Sequence, residues 1–276
     1  MPNLQHNATF ERHMTLAFMA QCPRAWWHTD RIRRGVEPDR VAGESLMVGI
    51  GVHAGLAHLW GQVNNPMVAV PARWIASAAM GAIVQAMPGS DKKIVTEAEK
   101  AVADYALQWI GVRDHWVPIA IEPNAQPPAP WTVLEGKFVA YPDLIVTAGE
   151  QYPLLVVDYK TSKWKYSPDV WEYHPELLTQ CLAAKQLKPD VPVWYMVDFL
   201  QRPGSKSTVW SFPVTTAWEF DARKEEMARD WVRQGLEKIR KARWAHGDRP
   251  LPRELSQCQT RYGMCQFAEK CLGGEE

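Results

Sequence analysis

Apolar residues recur along the chain in two rhythms, one helical and one strand-like, and the switch between them divides it. Residues 13–34 place Met14, Phe18 and Ala25 at near-helical spacing. Residues 44–60 form a second apolar helix, and in 92–111 Ala, Val, Tyr and Leu alternate with charged residues in a third helical pattern. From there the period shortens. Residues 116–122 read as a strand, and Pro123, Pro127, Pro128 and Pro130 demand a loop after it. Two strand-like stretches follow, 132–146 and 153–160, joined by the polar Ala148-Gly149-Glu150-Gln151 turn. Residues 175–187 are helical, 191–200 and 208–214 read as a strand pair around a Pro203-Gly204 turn, and a long helix spans 216–243 before a cysteine-bearing tail. Helices, then a mixed sheet, then helices predict one α/β domain over residues 1–276. Its core covers about 92–245, with helices in 1–91 and the tail 246–276 forming an addition built from both ends.

Composition narrows the class. With 46% hydrophobic and 22% charged residues the chain has ample material for a core. No run approaches the roughly 20 apolar residues of a membrane-spanning helix. Residues 1–10 lack the basic-then-apolar order of a secretory signal, so a cytoplasmic protein without membrane contact is expected. The 31 basic and 31 acidic residues cancel, so any nucleic-acid contact has to be local. Local basic density exists at Arg24, Arg31, Arg33, Arg34 and Arg40, and again at Lys238, Arg240, Lys241, Arg243, Arg249 and Arg253. Solvated helix faces account for these equally well. Fourteen tryptophans are mostly core, with a few available to stack on unpaired bases.

The candidate chemistry sits on the two central strands. Side chains alternate faces along a strand, so Asp158 and Lys160 point one way and Tyr159 the other. A hairpin at Gly149 brings Asp143 to a similar height on the neighbouring strand, about 4.8 Å away plus an offset of roughly 7 Å. Two carboxylates at that separation can share one divalent cation such as Mg²⁺, which prefers oxygen ligands. Such an ion acidifies a bound water and neutralises charge on a phosphate. Lys160 beside it orients the water and offsets developing charge. The competing reading is a strand-edge Asp–Lys ion pair plus a turn aspartate.

Gly136, Pro142-Asp143 and Asp158-Tyr159-Lys160-Thr161 together resemble the active-site hairpin of the PD-(D/E)XK nucleases, in particular their RecB-like branch. That resemblance implies a restriction-endonuclease-like mixed central sheet flanked by helices, and DNA cleavage with Mg²⁺ or Mn²⁺. The branch carries a metal-binding histidine on an N-terminal helix in a Gly-x-x-x-His context, which Gly49-Ile-Gly-Val-His53 matches in position and order. The resemblance therefore implies that His53, Asp143, Asp158 and the Tyr159 backbone carbonyl hold the metal and that Lys160 is the catalytic lysine. It assigns substrate positioning to Gln180 on the next helix, whereas the tyrosine often found four residues later is Ala184 here. Glu122 and Glu135 precede the aspartate on candidate strands, as outer acids or as surface residues.

An odd count of five cysteines in a chain of this type favours ligation over disulfides. Six residues separate Cys258 from Cys265 and five separate Cys265 from Cys271, which fits no compact zinc pair. One cysteine before the core and three after it is similar to the iron–sulfur subgroup of RecB-like nucleases, including the AddB nuclease domain and the CRISPR-associated exonucleases. The resemblance implies that Cys22, Cys258, Cys265 and Cys271 hold a [4Fe–4S] cluster clamping the two ends, although the Cys258–Cys265 gap is wider than in those relatives. Cys181, beside Gln180 in mid-helix, reads as a buried small hydrophobe.

The leading expectation is thus a metal-dependent DNA exonuclease acting on single-stranded or frayed ends, the end preference being implied by the resemblance. Its rivals are an end-binding module that has lost cleavage, and an iron–sulfur electron-transfer protein. Partners in recombination, CRISPR adaptation or phage DNA processing are all compatible with the sequence, which sets no oligomeric state.

Overall fold

The computed structural model describes residues 11–12, 17, 19–33, 44–63, 72–121, 132–133, 138–162, 167–204, 209–213, 215–246, 249, 251, 259–260 and 263–264. Its helices are α1 (Pro23–Arg33), α2 (Glu44–Val63), α3 (Ala72–Ala86), α4 (Lys92–Trp109), α5 (Pro175–Leu187) and α6 (Ala222–His246). Its strands are β1 (Glu11–Arg12), β2 (Val117–Ile121), β3 (Thr132–Val133), β4 (Phe138–Val139), β5 (Leu144–Ala148), β6 (Tyr152–Ser162), β7 (Trp194–Gln201), β8 (Trp218–Glu219), β9 (Gln259–Thr260) and β10 (Gly263–Met264). Among the described residues no helix is long and apolar enough to cross a membrane. The chain divides into two compact units, one of residues 1–40, 132–140 and 226–276, the other of residues 41–131 and 141–225.

The larger unit is a five-stranded mixed sheet in the order β2-β5-β6-β7-β8, flanked by helices. β6 lies at its centre, antiparallel to β5 and parallel to β7. A parallel neighbour needs a crossover, and the link from β6 to β7 contains α5, which packs on both strands. Burial follows strand alternation. Leu155, Val157 and Tyr159 face the core shared with α2, α3 and α4, while Leu154, Val156 and Asp158, also buried, lie on the alternate positions. β6 is buried on both faces as a central strand of such a sheet must be.

Three helical elements form the layer over that core. α2, α3 and α4 pack on one another, and α2 also touches β2 and β6. The Pro88-Gly89 turn, with Gly89 at φ 74°, ends the α3 segment. Asp91 then caps α4, accepting from the Lys93 N–H at 2.7 Å. α2 comes close to its neighbours because the two residues that face them most closely, Gly51 and Gly55, lack side chains. A Cβ at Gly55 would stand 2.7 Å from Val102 Cγ2 and 3.0 Å from Ile83 Cδ1, and one at Gly51 would stand 2.9 Å from Ala98 Cβ.

The smaller unit ties together the two ends of the chain. Arg24 Nε donates to the Leu251 carbonyl at 2.5 Å. Arg243 Nη2 lies 2.8 Å from Asp30 Oδ1, and its guanidinium sits 5.5 Å from the ring centre of the buried Trp26. β1, β4 and β3 form a small separate sheet here.

Several elements differ from the sequence expectation. The single strand expected over 132–146 is broken into β3, β4 and β5, the first two pairing apart from the main sheet. Of the strand expected over 208–214, the described residues 209–213 make one bridge, between Gln201 and Ser211, with Trp210 and Phe212 buried and Val209 and Ser211 exposed. The helix expected from 216 starts at Ala222 instead, because Trp218–Glu219 pair with β7 and the Asp221 carboxylate caps the Lys224 N–H at 2.8 Å. α3 was not expected at all. Gly55→Val should lower unfolding stability by roughly 1–3 kcal/mol through overpacking. Gly61→Ala, at an exposed position of the same helix with nothing within 4 Å, should raise it by about 0.5–1 kcal/mol. Paired urea titrations check both signs.

Candidate active site

The site grows from the β5–β6 hairpin. Its turn contains Gly149 at φ 71°, a left-handed conformation that glycine adopts without strain. The register Leu144↔Val157 sets Asp143 and Asp158 at the next rung. Asp143 Oδ2 accepts the Tyr159 N–H at 2.7 Å, so this carboxylate finishes the ladder where backbone pairing stops. Both carboxylates are buried, Asp143 at 7% and Asp158 at 1% exposure.

His53 reaches the hairpin from α2. Its Nδ1 lies 3.0 Å from Asp143 Oδ1 and its Nε2 lies 2.9 Å from the Tyr159 carbonyl oxygen. The ring also sits edge-on to the Tyr159 ring, 6.0 Å between centres. Burial works against the imidazolium, but the charge and hydrogen bond of Asp143 outweigh it and push His53 up to about 9. Both ring nitrogens then carry hydrogen and both donate. Asp143 moves the opposite way: burial raises it, and the neighbouring His53 charge brings it below the usual carboxylate range.

Asp158 is held from the other side. Gln180 Nε2 on α5 donates to its Oδ1 at 2.8 Å, and Lys160 Nζ lies 2.8 Å from its Oδ2. Burial pushes Asp158 up to about 7; Lys160 opposes this, while Asp143 and Glu176 add to it. Burial also works against the Lys160 ammonium, but the charges of Asp158, Glu176 and Asp143 outweigh it and hold Lys160 above its usual range. Glu176 was not singled out from the sequence. Its Oε2 is 3.0 Å from Lys160 Nζ, and the Trp171 ring centre is 5.8 Å from the same nitrogen. A signal for Glu176 was present, since it precedes Gln180 by four residues and so shares its helix face.

The structure thus brings together His53, Asp143, Asp158, the Tyr159 carbonyl, Lys160 and Gln180. Among the described residues no three His, Cys, Asp or Glu side chains are arranged to hold a metal ion. The donors present are one imidazole, two carboxylates and a backbone carbonyl, with His53 in direct contact with Asp143 and Tyr159. Their chemistry still suits a hard divalent cation, for which oxygen donors predominate. Two further observations agree. Burial, helped by the charges of Asp143 and Glu176, pushes Asp158 up to about 7 against the pull of Lys160, and a cation beside it favours the charged form. Gln180 Oε1 is buried with no hydrogen-bond partner among the described residues, leaving an acceptor for a polar ligand. Glu122 and Glu135 lie outside the described residues, as do Cys258, Cys265 and Cys271. Cys22 is buried at the start of α1, and Cys181 is fully buried, its thiol pushed well up by burial.

Residues 13–272 match the PD-(D/E)XK nuclease superfamily. No curated protein matches the chain.

Behind Tyr159 lies a buried polar cluster. Asp198 on β7 is the register partner of Tyr159 and takes a bidentate contact from Arg113, whose Nη2 donates to Oδ1 at 2.8 Å. Tyr105 O–H donates to Asp198 Oδ2 at 2.7 Å and accepts from Arg113 Nη1 at 2.7 Å. Trp109 and Trp116 each place a ring centre 4.3 Å from the Arg113 guanidinium carbon. The Tyr105 and Tyr159 rings meet edge-on at 5.9 Å, so this cluster braces the strand segment that presents the Tyr159 carbonyl. Asp198→Ala strands a buried arginine and should cost about 3–5 kcal/mol of stability, measurable by guanidinium unfolding.

Proposed function

The chain belongs to the PD-(D/E)XK nuclease superfamily, and from that premise we propose that it is a divalent-metal-dependent DNA exonuclease working on single-stranded or frayed ends. The observation that carries the reading is the hairpin assembly: Asp143 bonded to the Tyr159 N–H at 2.7 Å, with Asp158 and Lys160 paired at 2.8 Å beside it.

In this proposal His53, after giving up one of the protons it carries in the metal-free protein, joins Asp143, Asp158 and the Tyr159 carbonyl in holding Mg²⁺ or Mn²⁺. When bound, the cation acidifies water and neutralises charge on the scissile phosphate. The remaining work falls to the chain. Asp143 uses one oxygen to fix the Tyr159 peptide and so orients the neighbouring carbonyl. Gln180 locks Asp158 Oδ1 with its amide nitrogen and offers its unpaired oxygen to an attacking water. Lys160, charged and a quarter exposed, meets a phosphate oxygen and offsets the charge that develops there. The end preference rests on the resemblance to RecB-like nucleases. The same resemblance supports a structural [4Fe–4S] cluster on Cys22, Cys258, Cys265 and Cys271. The contacts that join Arg24 to Leu251 and Asp30 to Arg243 are in keeping with a clamp between the chain ends.

Anaerobically purified protein, assayed on end-labelled single- and double-stranded DNA with Mn²⁺, Mg²⁺ or EDTA, should release label only with metal. Lys160→Ala should slow cleavage about 10²–10³-fold, and Asp158→Ala should abolish it, both variants keeping the visible absorbance of the cluster. DNA binding without cutting in the wild type would replace this reading by an end-binding module. In a thermal melt, Mn²⁺ should stabilise wild-type protein and leave Asp143→Ala unmoved. Cys271→Ala should bleach the protein and lower its melting temperature; retained colour would remove the cluster proposal alone.

A further inference from the structure

Lys160 does not rest on Asp158 alone. Its ammonium is bracketed by Asp158 Oδ2 at 2.8 Å and Glu176 Oε2 at 3.0 Å, with the Trp171 ring closing a third side at 5.8 Å. Asp158 Oδ1 takes the Gln180 amide, while Oδ2 meets Lys160 as an ion pair without a hydrogen bond, leaving that oxygen open to a cation. A divalent cation drawing on this carboxylate weakens its hold on the ammonium and repels the ammonium directly. A lysine on a flexible four-carbon stem would then swing away. Glu176 stands on α5 rather than on the hairpin, in the first helical turn behind Pro175, where backbone N–H groups favour an anion. One face of α5 therefore serves both members of the pair: Gln180 fastens Asp158, and Glu176 fastens Lys160.

We infer that Glu176 is a positioning residue, the carboxylate that keeps the Lys160 ammonium in place once Asp158 is shared with the cation. The inference rests on the nuclease reading above. It separates Glu176 from the metal ligands and from a purely structural helix-terminus acid, and each alternative has its own signature.

The test combines steady-state cleavage in Mn²⁺ with calorimetric Mn²⁺ binding, on wild type, Glu176→Gln, Glu176→Asp, Lys160→Ala and the Lys160→Ala/Glu176→Gln double variant. Glu176→Gln should lower kcat about tenfold or more. KM for DNA should not rise, because a negative charge beside the phosphates has been removed. Mn²⁺ affinity should stay within about threefold, whereas loss of a metal-coupled group costs about 10–100-fold. Glu176→Asp should recover part of kcat, and it carries the test if the glutamine variant does not fold. The double variant should be no slower than Lys160→Ala, because Glu176 acts through the lysine. Full kcat in Glu176→Gln, an equal loss in the Lys160→Ala background, or a more than tenfold loss of Mn²⁺ affinity would each overturn the inference while leaving the nuclease reading intact. A wild type that cleaves nothing with any metal overturns both.

Discussion

Two carboxylates forced together inside a sheet are the constraint on which the rest of this site depends. The β5–β6 register leaves Asp143 and Asp158 no choice but to sit one rung beyond Leu144 and Val157, both largely out of water. Buried like charges repel, and neither can be neutralised by solvent. Each surrounding group answers that excess. His53 sits against Asp143, Lys160 and Gln180 against Asp158, and Glu176 steadies the lysine in turn. With Asp143, Asp158 and Glu176 facing only Lys160 and the His53 imidazolium, the cluster is short of positive charge even before a phosphate arrives. A PD-(D/E)XK nuclease makes good that deficit with a divalent ion.

Much of this was legible in the sequence because it is local. Asp158-Tyr159-Lys160 needs only strand alternation to place two functional side chains on one face, and Gly149 marks the turn that returns the chain to Asp143. Gln180 was singled out only through the resemblance to RecB-like nucleases, which places a glutamine on the helix after that strand. Other features depend on partners distant in sequence. Nothing near Asp198 announces that Arg113 and Tyr105 will meet it, and a lone aspartate in an apolar strand reads as an anomaly until its partners are known. α3 was passed over although Ile75, Ala79 and Ile83 recur in it at helical spacing. The strand expected over 132–146 failed because the pairing partners of its parts lie in two different sheets. Glu176 had a helical signature, but its meaning comes only from the position of Lys160.

Rigidity is distributed to match. The peptide of Tyr159 is held at its nitrogen by Asp143, at its carbonyl by His53 and at its ring by Tyr105 and His53. The glycine-dependent approach of α2 to α3 and α4 sets the distance over which His53 has to reach. A carbonyl proposed to serve as a ligand is therefore fixed from three directions, while Lys160 keeps a partly exposed side toward substrate.

The sequence separations of these contacts carry a consequence for how the site comes into being. Asp143 is 16 residues from Tyr159 and Asp158 is 22 from Gln180, whereas His53 is 90 residues from Asp143. Closing a loop costs more entropy the longer it is. The carboxylate–lysine hairpin can therefore form within a short stretch of chain, but its histidine arrives only when the α2–α4 layer docks on the sheet. Nascent or partly unfolded chains would carry the acids and the lysine without the imidazole. Completion of the four-residue cluster therefore waits on tertiary docking rather than on synthesis of the hairpin.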